Sequence, residues 1–400
     1  MLAETSTEAS SSKVRSTIIG FVTFTFIGYF SIGLPLAVLP VFIHQNLGYS
    51  TMIAGIVISV QYITTFLLRG YAGSIVDKKG PKPAVLMSMI GFSLSGVLLL
   101  IAYMLRGNPA LSLGALVLTR LMTGFAEGLV GASPINWAIF AVGDQHTAKA
   151  ISFNGIASYG ALAAGAPLGV ILQYSYGIGS IGILIIAAGL IGLLYAKSKT
   201  AFKGNSKAPR QPFLQVLKTV SPYGICLAMG GLGFGTISTF ITLYYSYLNW
   251  SGAVLCLSAF SLLFIFGRVF FARSIDLYGG MRTSIACLAL ESLGLLILWL
   301  APEPYMALAG AGIAGLGFSL VFPALGVEAV KLVPASNKGA ALGGYGLFID
   351  ISLGLTGPLV GGVASHFGIV YIFPFSMCMV FIGFVLATLI YYRQKMRVIA

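Results

Sequence analysis

Three ionisable side chains lie deep inside long apolar stretches of the chain, where a charge is costly. Arg120 and Glu127 fall in one stretch, and Asp350 falls in another. An acid kept out of water favours its neutral form, so it can load and release a proton. We therefore interpret Asp350 as the first choice for a proton-carrying group and Glu127 as the second.

Arg120 stands one helical turn before Gly124 and two turns before Glu127, so all three share one face of a helix. Two interpretations follow from this placement. The arginine either biases the protonation of nearby acids during proton coupling, or it pairs with Glu127 to lock two helices together. Perturbed charges inside a membrane favour the functional interpretation.

A second group of charged and glycine residues predicts a latch, by which we mean contacts that close one end of the long apolar segments. Asp77 is expected at a helix end, Gly80 permits a tight turn, and Arg69 lies two turns earlier. The acid can pair with a cation or cap a neighbouring helix; an ordinary basic loop is the alternative. The predicted gate residues are Arg69, Gly73, Asp77, Lys78, Gly80, Arg268, Asp276 and Gly279.

Polar and aromatic residues at mid-depth in the inner spans are candidates for lining a substrate cavity. They are Tyr29, Gln61, Tyr62, Asn136, Trp137, Asn154, Tyr159, Thr239, Tyr244, Tyr345 and Phe348. A cavity rich in aromatic rings and poor in fixed charges suits an amphipathic organic solute. Anchoring at the membrane interface is the alternative for Trp137 and Tyr244.

The elements that must position these residues are membrane-spanning helices. Of 400 residues, 58% are hydrophobic and only 8% are charged, which excludes an ordinary soluble protein. The apolar residues form repeated runs long enough to cross a bilayer as helices. The predicted spans are 17–42, 52–74, 84–105, 111–141, 147–172, 177–196, 220–247, 252–274, 283–301, 304–332, 339–365 and 368–391.

The net charge of +13 is concentrated in the even-numbered connections between spans and in the tails, whereas Arg106 is the one Lys or Arg in the odd-numbered connections. This asymmetry predicts that both termini face the cytoplasm, and it argues against a nucleic-acid partner.

Internal repetition divides the chain into two six-helix halves. Arg69, Asp77 and Gly80 recur at a shift of 199. Gly128, Pro134, Lys149 and Gly155 recur at a shift of 189. The predicted organisation is a disordered cytoplasmic tail (1–16), a first bundle (17–196), a basic linker (197–219), a second bundle (220–392) and a cytoplasmic tail (393–400).

The motif that contains Gly73, Asp77, Gly80 and Lys82 resembles the signature of the major facilitator superfamily. The second copy has Ala272 where the first glycine is expected. The resemblance implies two helical bundles that alternate access to a central site. Arg120 and Gly124 resemble the superfamily's proton-antiporter element. The strings IGLPLAVLP (32–40), GAPLGVIL (165–172), TFITLYY (239–245), FSLVFPALGVEAVKLVP (318–334) and GPLVGG (357–362) are similar to the YhhS/YfcJ-like branch of bacterial permeases.

Glycine and proline residues predict close packing and bending in the fifth and eleventh spans. They are Gly165, Pro167, Gly169, Gly357, Pro358, Gly361 and Gly362. The better copy of the drug-exporter motif GPxxGG stands on span eleven. Glu291 falls on span nine, which the resemblance implies is peripheral, so we interpret Glu291 as structural or as reaching the membrane interface.

These features predict a bacterial inner-membrane transporter that exports a small organic compound in exchange for protons. A proton-coupled or facilitative importer of a sugar or organic acid is the alternative. The sequence has no nucleophile–base pair, metal-protease motif or phosphate loop, so we expect no enzyme activity. We expect no metal or cofactor beyond the coupling proton, a lipid bilayer and a small solute as partners, and a monomer.

Overall fold

The structure, a computed structural model, describes residues 2–202, 213–333 and 338–399, and these ranges are almost entirely helical without a β-strand. Residues 203–212 of the predicted linker lie outside the described residues. The helices are α1 (Leu2–Leu36), α2 (Leu39–Val41), α3 (Thr51–Lys79), α4 (Pro81–Met104), α5 (Pro109–Val130), α6 (Ser133–Val142), α7 (Thr147–Tyr176), α8 (Ile178–Ser198), α9 (Phe213–Tyr247), α10 (Ala253–Phe270), α11 (Ser274–Tyr278), α12 (Gly280–Leu300), α13 (Pro304–Phe318), α14 (Val321–Lys331), α15 (Lys338–His366) and α16 (Ile372–Ile399).

Twelve segments of the described chain are long and apolar enough to cross a membrane. This number confirms the spans predicted from hydropathy. Seven of the spans are single α-helices, and two more add a short 3₁₀ turn, at Leu105–Gly107 after α4 and at Ile369–Tyr371 before α16. The other three combine successive segments: α1, α2 and a π-helical turn at Phe42–Asn46 form the first span, α5 and α6 the fourth, and α13 and α14 the tenth.

The fourth and tenth spans break at equivalent positions of the internal repeat. α5 ends at Val130 and α6 begins at Ser133, while α13 ends at Phe318 and α14 begins at Val321. A proline follows each break, Pro134 in one half and Pro323 in the other, at the shift of 189. Proline lacks the N–H that would continue the helical ladder, which explains why both copies break here.

Contacts between Cα atoms divide the chain into two compact units. Unit 1 comprises Met1–Pro35, Thr64–Gly165 and Leu172–Lys207, and unit 2 comprises Leu36–Ile63, Ala166–Ile171 and Ala208–Ala400. Unit 2 thus contains parts of the first, second and fifth spans, which the halves predicted from the repeat assign to the first bundle. Contacts within unit 2 explain this assignment for the second span: the N-terminal half of α3 packs against α15, as described below.

Each unit has a closely packed interior. In unit 1, α4 packs against α5 and α8, and Gly96 and Gly182 bring the backbones of α4 and α8 together. In unit 2, α9 is the most buried span, and it packs against α15 and α16.

The two predicted tails are helical where the structure describes them. α1 begins at Leu2, so residues 2–16, expected to be disordered, continue the first span as a helix. α16 likewise continues to Ile399. Extension of an existing helix needs no new nucleation, which favours helix beyond the apolar segment.

Candidate functional site

The arginine and the acid of the fourth span are both buried in unit 1. Arg120 is 1% exposed and Glu127 is 3% exposed, and both lie in α5. The hydroxyl group of Thr65 in α3 donates to Glu127 Oε2 at 2.9 Å and lies 3.2 Å from the carbonyl oxygen of Gly124. Thr65 was not among the predicted residues. Its place in α3 beside the acid of α5 appears only when the two helices are packed.

Asp350 is 4% exposed in α15, and Phe348 and Ser352, two residues to either side of it, lie at the seam between α15 and α9. At this seam the Ser352 hydroxyl donates to the carbonyl oxygen of Ala228 at 2.5 Å, and the Phe348 ring lies against Gly224. Phe348, predicted to line a cavity, therefore packs on α9. Asp350 is thus held on a span whose neighbouring residues are fixed by contacts with α9.

Glu291 in α12 is fully buried at 0% exposure. Neither of its carboxyl oxygens has a hydrogen-bond partner in the part of the chain that the structure describes. The interpretation of Glu291 as a side chain that reaches the membrane interface is therefore wrong. The sequence shows an acid in an apolar run, but not whether that acid points outward or inward.

The break in the tenth span is held by an arginine of the eighth. Arg268 Nε donates to the carbonyl oxygen of Ser319 at 2.9 Å. In an unbroken helix this carbonyl would accept from residue 323, but Pro323 has no N–H. Arg268, predicted as a gate residue, thus satisfies a carbonyl that the break leaves open, inside unit 2.

The two copies of the predicted latch end at similar turns. Gly80 and Gly279 have φ angles of +84° and +86°, which glycine adopts without strain, and each precedes the next membrane helix. Gly73 and Lys78 are exposed, Arg69 is half-buried, and the Asp77 side chain lies outside the described structure.

In the second copy a different acid caps the helix. Asp276 is exposed, whereas Glu328 Oε1 accepts from the Gly280 N–H at 3.1 Å and from Lys331 Nζ at 2.9 Å. Glu328 thus stabilises the start of α12, where an acid complements the helix dipole. Its position in α14, almost fifty residues away along the chain, concealed this role from the sequence.

Several predicted cavity residues instead pack in the interior of their units. Trp137 is 0% exposed, stacks on Phe24, and donates Nε1–H to the carbonyl oxygen of Thr200 at 2.9 Å. Tyr345 is also 0% exposed and donates to the carbonyl oxygen of Phe322 at 2.9 Å. Through these contacts the two large side chains fix helices to one another. Because both are buried, they present no free surface to a solute.

The remaining cavity candidates differ in their exposure and contacts. Asn154 Oδ1 accepts from the Thr25 hydroxyl at 2.6 Å within unit 1, and Asn136 donates to the carbonyl oxygen of Ala132 at 3.0 Å. Tyr244 packs edge-on against Phe373. Gln61, Tyr62, Tyr159 and Thr239 are buried, and Tyr29 is half-buried.

The glycines of span eleven bring α15 into direct backbone contact with α3 in unit 2. A Cβ atom on either Gly55 or Gly357 would collide with the carbonyl oxygen of the other, and one on Gly361 would meet the Thr51 carbonyl at 2.6 Å. The Thr51 hydroxyl donates to the Gly361 carbonyl oxygen at 3.0 Å. Gly362 has open space around it. We call the contact made by residues 51–59 with residues 354–365 the α3–α15 seam.

The same end of unit 2 holds a cavity of about 510 Å³. It is lined by His44, Gln45, Ser50, Thr51, Leu243, Ser246, Tyr247, Ala364, Ser365, Gly368 and Ile369. One hydrogen bond joins its walls: Gln45 Nε2 donates to Ser246 Oγ at 2.8 Å. Outside the lining, the Thr242 hydroxyl donates to the carbonyl oxygen of Ala37 at 2.6 Å. Sequence reasoning missed this polar cavity, although Gly55 and Ser59, four residues apart, are a signal for close helix packing.

In span five, Gly165 lies against the backbone of α1 near Phe30 and Leu34 within unit 1. Pro167 and Pro358 stand inside α7 and α15, and Gly169 is buried. Pro167 and Pro358 each remove one helical hydrogen bond from the interior of a long span.

The profile of the Major Facilitator Superfamily matches residues 21–280 and 223–397, so the chain belongs to this superfamily of membrane transporters. The chain is 52% identical over 393 residues to an uncharacterized MFS-type transporter of Pseudomonas aeruginosa (strain UCBPP-PA14), covering 97% of this chain and 96% of the relative. It is 48% identical over 377 residues to another from Burkholderia mallei (strain SAVP1), covering 94% and 92%.

Solved structures share the fold at low identity. A mutant of the nucleoside transporter NupG superposes with a TM-score of 0.73 at 14% identity, covering 93% of this chain and 99% of that one. The human organic anion transporter MFSD10 (TETRAN) superposes with a TM-score of 0.69 at 15% identity, covering 94% and 99%. These comparisons show a multi-pass transporter fold, and the names of the relatives do not place the chain in a particular branch.

Proposed function

We propose that the protein exports a small amphipathic organic compound in exchange for protons, by alternating access. The observation that carries this proposal is the burial of two acids in different halves of the chain. Glu127 is 3% exposed beside a neutral hydroxyl donor, and Asp350 is 4% exposed. Acids buried in membrane spans are rare, and they often mark proton pathways. Arg120, on the same helix as Glu127, would oppose protonation of nearby acids.

Export rather than import is supported by sequence motifs. Arg120 with Gly124, and Gly357 with Pro358, Gly361 and Gly362, resemble elements of proton-driven drug exporters. The strings noted above place the protein, in this proposal, in the YhhS/YfcJ-like branch. We further propose that it works as a monomer in the bacterial inner membrane, with both termini in the cytoplasm.

Import of a sugar, organic acid or other polar solute is the second candidate. Two solved structures with this fold support a polar solute, since one is a nucleoside transporter and the other an organic anion transporter. The polar lining of the 510 Å³ cavity is also compatible with a hydrophilic solute. The direction of solute movement relative to proton movement separates the two candidates.

The test uses proteoliposomes that contain a pH dye, to which amphipathic drugs, sugars, nucleosides and organic acids are added in turn. Antiport predicts that one compound evokes proton movement opposite to its own movement. This signal should be lost in Asp350→Asn and Glu127→Gln and kept in Glu303→Gln, because Glu303 is an exposed acid at the start of α13.

Proton and solute movement in the same direction would support the import candidate instead. Solute counterflow without any proton signal would contradict coupling altogether. Unchanged proton movement in both acid variants would remove Asp350 and Glu127 from the mechanism.

A further inference from the structure

Glu291 occupies a closed apolar site between four membrane helices of unit 2. A Cβ atom built on Gly230 of α9 would lie 3.2 Å from Glu291 Oε2, and one built on Gly233 would lie 2.5 Å from Oε1. The same two positions are bordered by Val321 of α14 and Val380 of α16. The carboxyl group therefore fills the space that two missing side chains of α9 leave open.

The backbone of Glu291 is also closely covered. Gly317 of α13 lies directly against the backbone nitrogen of Glu291, just before the break in the tenth span. Neither carboxyl oxygen has a hydrogen-bond partner in the described part of the chain, and the side chain is 0% exposed. A carboxylate buried in such a site loses its solvation and gains no hydrogen bond from the described residues in exchange.

The side chains that border the carboxyl group at Gly230 and Gly233 are apolar: Leu288 and Leu295 of α12, Val321 of α14 and Val380 of α16. The nearest polar groups of the surrounding helices are neutral or hydrogen-bonded elsewhere. On α12 itself, the Cys287 thiol lies one turn away. Between α9 and α16, the hydroxyls of Thr236 and Ser376 bond each other at 2.6 Å. Arg268 of α10 donates to the Ser319 carbonyl beyond Gly317. The contacts around Glu291 thus favour the neutral acid over the carboxylate.

We propose that Glu291 is a proton-binding site, occupied in the conformation described here and emptied only when α9 moves away from α12. The carboxyl can ionise once water or a cation reaches it, which requires the α9 wall to open. Gly230 and Gly233 belong to a run with Gly231 and Gly235, and glycine makes a helix easier to bend. Loss of the proton and bending of α9 are therefore linked.

The role of this site in transport rests on the proposed proton exchange, but its occupancy is measured without transport. Infrared spectra of the full-length protein in nanodiscs record the carbonyl stretch of protonated carboxyl groups. Uniform ¹³C-glutamate labelling moves glutamate bands away from that of Asp350. The measurement uses a Glu127→Gln background, because Glu127 is another buried glutamate that can carry a proton. In that background we expect a labelled, protonated-carboxyl band at neutral pH that is lost completely when Glu291→Gln is added.

Glu328→Gln is the matched control, since Glu328 is a glutamate of the same unit whose carboxylate is bonded to Lys331 and to the Gly280 N–H. It should leave the band unchanged. If the Gln variant does not accumulate, Glu291→Leu, which also removes the acid, replaces it in the comparison. An equal band with and without Glu291, or no labelled band in the Glu127→Gln background at neutral pH, would overturn the proposal.

Transport then separates this inference from the proposed function. If Glu291 takes part in coupling, Glu291→Gln should abolish proton movement and retain solute counterflow. If the wild type showed no proton coupling, the antiport proposal would be contradicted. The infrared band would still show that Glu291 binds a proton.

Discussion

Three glutamates of this chain show how local contacts decide what an acid does. Glu328 is fixed by a lysine and a helix N-terminus, and Glu127 accepts a hydrogen bond from a threonine hydroxyl. Glu291 has no hydrogen-bond partner within the described residues. The first environment stabilises a carboxylate, the second accommodates either form, and the third favours the neutral acid. Residue type alone does not distinguish them.

Arg268 offers a test of single-residue energetics. Because its Nε bonds the Ser319 carbonyl that Pro323 leaves without a donor, Arg268→Gln should lower the free energy of unfolding by about 2 kcal/mol, within the range for a hydrogen bond made by a charged group. Thermal unfolding in detergent measures this loss. Arg273→Gln, an exposed arginine that follows the same helix, is the control and should change little.

Combining Arg268→Gln with Pro323→Ala tests whether the loss of stability comes from the hydrogen bond to the Ser319 carbonyl. Alanine restores an N–H that can reach the Ser319 carbonyl, so Arg268→Gln should cost less in this background, with a coupling of about 1 kcal/mol. Equal costs in both backgrounds would show that Arg268 stabilises the protein through other contacts.

At the scale of the elements, glycines decide which helices touch. The α3–α15 seam exists because Gly55 and Gly357 have no side chains, and Ser59 and Thr51 donate to carbonyl oxygens across it. In the same motif Gly362 faces open space. The motif GPLVGG therefore contains two glycines that the packing requires, Gly357 and Gly361, and one that it does not, Gly362.

Gly357→Ala should force α3 and α15 apart and open this end of unit 2. We expect a Cys at position 59, which is 5% exposed as serine, to react several-fold faster with a membrane-impermeant maleimide. The measurement uses a background in which the four native cysteines are replaced by serine. Gly362→Ala is the matched control, and equal labelling rates in the two alanine variants would contradict the role assigned to the seam.

The spans and the repeat were predictable because each depends on local sequence. Hydropathy marks twelve runs, and Pro134 and Pro323 recur at a fixed shift, so the family and the internal repeat follow from one chain. The breaks in the fourth and tenth spans were not predicted. Boundaries at the chain ends were less predictable, since residues 2–16 are polar yet continue α1 as a helix.

The direction of each side chain around its helix was not predictable in the same way. Trp137 and Tyr345 were expected to line a cavity but are fully buried, and the interpretation in which Glu291 reaches the membrane interface is wrong because its side chain is enclosed. Every face of a membrane helix is apolar enough to meet lipid or protein, so hydropathy carries little information about rotation. Contacts between residues distant in sequence, such as Thr65 with Glu127, show which side of each helix faces its neighbour, and hydropathy does not contain this information.

At the scale of the whole molecule, the distribution of basic residues predicts how the chain lies in the membrane. Lys78, Lys79 and Lys82 follow the second span, and the connection after the sixth span begins with Lys197 and Lys199, whereas Arg106 is the one Lys or Arg in the odd connections. Lys and Arg are retained on the cytoplasmic side during insertion. The proposed orientation, with both termini inside, follows from this bias.

Fusions of a reporter to truncated chains test that orientation. Alkaline phosphatase is active only outside the cytoplasm, so a fusion after Gly107 should be active and one after Lys199 inactive. A green fluorescent protein joined after Ala400 should fluoresce, because it folds in the cytoplasm. The opposite pattern of reporter activity would mean that the protein has the inverted orientation in the membrane, with the α3–α15 seam at the cytoplasmic end. In the proposed orientation that seam closes the outer side, so Gly357→Ala should increase labelling by maleimide added outside intact cells.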